Sequence, residues 1–64
     1  MYPQRNPVYT VGPYTVHQGK LSADDSRSHW IEGPAGDGVK RPIASCWNLG
    51  DAARLADSYN QNNT

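Results

Sequence analysis

The chain has 64 residues, six basic and six acidic, so its formal net charge is zero, and 36% of its residues are hydrophobic. That length allows one small domain. Balanced charge argues against sequence-independent nucleic-acid binding, which depends on a basic surplus, and a single cysteine, Cys46, excludes an internal disulfide. No apolar run approaches membrane-spanning length, and the opening Met1-Tyr2-Pro3-Gln4-Arg5-Asn6-Pro7 lacks the apolar stretch of a signal peptide. The expected compartment is a reducing cytoplasm, where one free thiol is ordinary.

Residues 1–7 carry Pro3 and Pro7 and little to bury, so they read as an extended N-terminal arm. Val8 to Val16 is rich in Val, Tyr and Thr and favours strand. Gly12-Pro13 interrupts it and marks a bend or an edge position. Beyond it, Tyr14 and Val16 alternate with Thr15 and His17, the pattern of a half-buried strand whose histidine faces solvent. Residues 22–28 form a polar loop. Ser28 to Glu32 is a second short strand, stopped by Gly33-Pro34, and Ala35-Gly36-Asp37-Gly38 is a turn. A third strand runs from about Val39 to Trp47, with Pro42 at an edge or start because it donates no ladder hydrogen bond.

The last element is a helix. Asn48 is placed to cap it, with Asp51 three residues later as capping-box partner. Leu49, Ala52, Leu55, Ala56 and Tyr59 fall on one stripe at helical spacing. Residues 61–64 read as a disordered polar tail. The expected fold is α+β: a three-stranded antiparallel meander with one C-terminal helix packed on a face, βββα, over residues 8–60.

Gly12-Pro13-Tyr14-Thr15-Val16, Ile43-Ala44 and Asp51-Ala52-Ala53-Arg54-Leu55-Ala56 carry a family resemblance. Over residues 12–59 the chain resembles small phage and prophage proteins with a Gly-Pro-Trp-x-Val opening, an Ile-Ala in the last strand and an Ala-Arg-Leu-Ile-Ala-type helix. Tyr14 stands where those proteins have Trp. The resemblance implies a viral accessory protein working in the cytoplasm of a host bacterium, and it implies no active site. Three strands followed by an Ala-rich helix also resemble the plant AP2-type and integrase arm-binding DNA modules, which bind through the sheet. Here Lys20, Arg27, Lys40 and Arg41 would have to serve that role.

His17, His29 and Cys46 lack the close pairing of a zinc site, and no cofactor is expected. A Cys46–His nucleophilic pair would need a lowered thiol pKa, to which the following helix N-terminus contributes. A chain of this size has little material for a substrate pocket, so no enzyme activity is expected. Cys46 reads instead as a small core residue. The Gly-rich turn lacks the Lys-Ser/Thr ending of a phosphate loop, although its N–H groups, with Lys40 and Arg41, would suit a phosphate while Tyr14 and Trp30 stack a base.

The aromatic supply points mainly elsewhere. Nine Val, Ile and Leu residues make a thin core, so aromatics must fill it or serve an interface. Trp47, beside the capped helix, reads as core; Trp30 reads equally as core or interface. Tyr9, Tyr14, Trp30, Lys40 and Arg41 form the candidate partner-binding set. The expected function is binding and inhibition of a host protein, such as a component of antiviral defence or transcription. The alternatives are sequestration of a nucleotide-like ligand and sheet-mediated DNA binding. A homo-oligomer is expected from the thin core, through Tyr9, Val11 and Tyr14.

Overall fold

The computed structural model describes residues 1–62. Its elements run β1 (Pro7–Val11), β2 (Tyr14–Gln18), β3 (His29–Pro34), β4 (Lys40–Cys46) and α1 (Leu49–Asn62). The strands form one antiparallel sheet in the order β1-β2-β3-β4. The α+β class with a C-terminal helix on an antiparallel sheet is as expected, but the sheet has four strands, not three.

The extra strand comes from Gly12-Pro13. Val11 pairs with Tyr14 across this dipeptide, and Gly12 has a φ of 56°. A positive φ followed by the fixed negative φ of proline matches a type II′ turn, whose twist suits a two-residue hairpin. The stretch expected as one interrupted strand therefore folds back on itself. The third expected strand appears as β4 and ends at Cys46, before Trp47. The second extends through Gly33-Pro34, which were expected to stop it.

The helix begins as its sequence dictates. The Asp51 N–H donates to Asn48 Oδ1 at 2.8 Å, and Asn48 Nδ2 donates to Asp51 Oδ2 at 3.2 Å. This reciprocal pair satisfies a backbone donor that the first turn would otherwise leave unpaired. Gln61 and Asn62, expected in the tail, complete the last turn, and residues 63–64 of that expected tail lie outside the described residues. Ala52 and Ala56 are fully buried, so the helix backbone sits close over the sheet. Leu55 is half-buried, whereas Leu49, in the first turn, is exposed.

The pairing register, with irregularities at Val8 and at Ile43, assigns the paired strand residues to faces. On the helix side Tyr14, Val16, Ile31 and Cys46 are buried with Ala52 and Ala56, and Tyr9, Val11, Ile43, Ala44, Leu55 and Tyr59 pack around them. The Tyr14 and Tyr59 rings stack with centroids 5.6 Å apart. Tyr14 also lies against Gly33, where an added methyl group would overlap its ring. On the other side the register aligns Thr15 with Glu32, His17 with Trp30, and Trp30 with Ser45.

That second side is covered too. The Gln4 N–H donates to the Lys20 carbonyl at 2.9 Å, the Lys20 N–H to Gln4 Oε1 at 2.8 Å, and the Gln18 N–H to the Asn6 carbonyl at 2.9 Å. The arm thus continues along β2 and folds over Trp30. The solvent-accessible area, 4002 Å², matches the roughly 4,000 Å² of a folded monomer of this mass. Two thin layers of cover, one helical and one polar, give the sheet the compactness that a single aliphatic core would not.

Candidate functional site

The five residues singled out from sequence do not share one surface. Tyr14 is 3% exposed and Trp30 is completely buried, so neither can contact a partner in this conformation. Tyr9 is half-buried beneath the helix and donates its hydroxyl to Asp57 Oδ1 at 2.6 Å. That bond, to an acceptor that is itself anionic, raises the Tyr9 pKa above its ordinary value. Lys40 and Arg41 are exposed at the start of β4, and Arg41 pairs with Asp37 at 2.5 Å. Tyr9, Val11 and Tyr14, expected to offer apolar area to a second copy, pack instead against the helix side of the sheet.

Trp30 is buried by residues far away in sequence. Its ring stacks on His17 with centroids 4.3 Å apart and planes 17° apart. Its Nε1–H donates to the Gln4 carbonyl at 2.8 Å, and the Arg5 guanidinium lies 5.7 Å from the ring centroid. Glu32 accepts from His17 Nε2 at 3.1 Å and faces Arg5 at 3.6 Å. His17 was expected to face solvent, yet it is 4% exposed, and its Nδ1 is buried with no partner among the described residues. Apolar Trp30 next to apolar Ile31 was the available signal. Adjacent large hydrophobics on a central strand require both faces to be covered.

Trp47 was expected in the core and is 62% exposed. β4 ends one residue earlier, so its ring lies beyond the sheet and outside the core. The ring is nevertheless held. The Arg27 guanidinium sits 5.3 Å from its centroid, and Arg27 Nη1 donates to Ser45 Oγ at 2.9 Å. The Ser28 hydroxyl donates to the Trp47 carbonyl at 2.8 Å. Asp25 accepts from the Arg27 N–H at 2.9 Å, which fixes the loop carrying the arginine. Leu49, two residues on, is 42% exposed. Trp47 and Arg27 thus form an ordered aromatic and cationic patch at the sheet-to-helix junction, with exposed Leu49 close by in the chain.

The other expected chemistries meet specific obstacles. In the Gly-rich turn the Val39 N–H donates to Asp37 Oδ1, the Ala35 N–H to the Val39 carbonyl and the Gly38 N–H to the Ala35 carbonyl. Three of its donors are thus engaged internally, and the Asp37 carboxylate lies within the turn, where it would repel an anion. The Arg41 contact holds the Asp37 carboxyl below its usual range, so that negative charge persists at neutral pH. Cys46 is buried, as expected of a core residue. Burial raises its thiol pKa, the direction opposite to that of an activated nucleophile.

Among the described residues no three His, Cys, Asp or Glu side chains gather in a group that could hold a metal ion, and no helix is long and apolar enough to cross a membrane. No known family model, curated protein or solved structure matches the chain.

Proposed function

We propose that this chain acts by binding another protein through the patch formed by Trp47, Arg27 and Leu49. The resemblance to small phage and prophage proteins supplies the second half of the reading: the partner is a host protein, and binding inhibits it. One observation carries the choice of surface. Trp47 is largely exposed, yet the Arg27 guanidinium lies over its ring, Arg27 is itself bonded to Ser45, and the Ser28 hydroxyl holds the Trp47 backbone carbonyl. Trp and Arg dominate interface hot spots, and side chains ordered before binding lose less entropy when a partner arrives.

The test compares the tagged chain with its Trp47→Ala and Arg27→Gln variants in quantitative capture from a bacterial lysate, beside titrations with nucleotides and with duplex DNA. The expected outcome is one protein retained stoichiometrically by the parent chain and weakened about 30-fold or more by Trp47→Ala, the scale of a 2 kcal/mol hot spot. Thermal melting of the variant should be unchanged. A partner retained equally by Trp47→Ala would reject this surface. Tight binding of a nucleotide, or of a duplex lost on Lys40→Ala and Arg41→Ala, would reject the protein-binding reading itself.

A further inference from the structure

We propose that residues 1–6 are a lid that opens while the rest of the fold stays intact, uncovering Trp30, His17 and Glu32 as a second surface. This inference is independent of the Trp47 patch. It starts from how the arm is attached.

The arm is docked by polar contacts and by the cover it gives the Trp30 ring, not by apolar side chains of its own buried in the core. Of its apolar side chains, Met1 and Tyr2 point to water, at 107% and 45% exposure, and Pro3 is half-buried. Its attachments are the hydrogen bonds of Gln4 and Asn6 to residues 18–20, the Trp30 indole bond to the Gln4 carbonyl, and Arg5 over Trp30 and Glu32. Water can replace each of these bonds when the arm leaves, so each contributes little net stabilisation. Segments held this way belong to the low-stability end of a fold.

The closed state also carries a local penalty. His17 Nε2 lies 3.1 Å from Glu32 Oε1, while Nδ1 is buried with no hydrogen-bond partner among the described residues. A buried polar atom with no partner is unfavourable, and opening gives it water. Burial of the Trp30 ring opposes this and keeps the closed state dominant. The boundary of the moving segment is marked as well. Pro7 offers no N–H to the ladder, and the β1–β2 register shifts between Pro7 and Tyr9. From Tyr9 onward the pairing does not depend on the arm.

The uncovered surface has a defined chemistry. It holds a guanidinium between an indole face and a carboxylate, as it now holds Arg5. An arginine-bearing extended segment that displaces the arm would meet the same indole donor and the same free backbone groups at residues 18–20.

Native-state hydrogen exchange on the full chain, read by NMR at rising sub-denaturing concentrations of urea, tests the lid. The Trp30 indole N–H and the Gln18 amide are expected to exchange at least tenfold faster than the β2–β3 ladder amides, with little dependence on urea. Arg5→Gln is expected to accelerate indole exchange about fivefold, the combined scale of one exposed ion pair and one cation–π contact, while ladder exchange stays put. His17→Phe keeps a stacked ring, removes the orphaned nitrogen and is expected to slow the indole. Indole and ladder exchange with one rate and one urea slope would overturn the proposal, because the arm would then leave only on global unfolding. Equal acceleration of both by Arg5→Gln, or a faster indole in His17→Phe, would also count against it.

Discussion

Truncating the two tryptophans separately should give opposite results. Trp30 is fully buried between His17 and the arm, with its indole N–H bonded to the Gln4 carbonyl. Removing a side chain that buries up to about 250 Å², at roughly 25 cal/mol per Å², forfeits at most about 6 kcal/mol. Buried Trp→Ala changes typically cost about 3–5 kcal/mol. A domain of this length has a total stability of only about 3–10 kcal/mol, so Trp30→Ala should be largely unfolded or melt about 20–35 °C lower. Trp47→Ala removes an exposed ring whose neighbours include Arg27, and should stay within about 0.5 kcal/mol of the parent chain. Far-UV circular dichroism melts of both variants measure this. Single-tryptophan chains provide a second readout: Trp30 emission should be blue-shifted and shielded from acrylamide, and Trp47 emission red-shifted and readily quenched. Equal melting shifts, or equal quenching, would refute the assignment of one tryptophan to the interior and the other to the surface.

Three further outcomes are expected. Gly33→Ala sets a methyl group against the Tyr14 ring, and overpacking of this kind should lower stability by about 1–3 kcal/mol in chemical denaturation. Asn48→Ala removes the acceptor for the Asp51 N–H and should cost about 1 kcal/mol in the same assay. The Tyr9 pKa is raised by the hydrogen bond to Asp57, so the folded state holds that proton more tightly than the unfolded chain. Its stabilising contribution is complete below the ordinary tyrosine pKa near 10 and is lost as pH climbs through the raised folded value. Ultraviolet titration should therefore show a late-ionising component that moves back toward the ordinary value in Asp57→Asn; a profile unchanged by Asp57→Asn would break the Tyr9–Asp57 assignment.

The helix and the location of Cys46 were legible from local sequence because local physics decides them. Asn48 and Asp51 are three residues apart and cap each other directly, and Ala52 and Ala56 sit one turn apart on the buried face. The strands were legible as segments, but one was hidden: Gly12 at positive φ turns a bend into a hairpin, and the same dipeptide suits either outcome until the partner strand is known. What only the tertiary structure decided is which large side chains receive cover. Trp30 is buried by residues 13 to 26 positions distant, His17, Arg5 and Gln4, and the arm that supplies two of them has no hydrophobic pattern to announce its docking. Trp47 lies one residue beyond the end of β4 and stays in water. Local pattern specifies which way a side chain points from its own strand or helix. Whether anything lies opposite it depends on chain packing across the sheet, and that placed Trp30 inside and Trp47 at the surface.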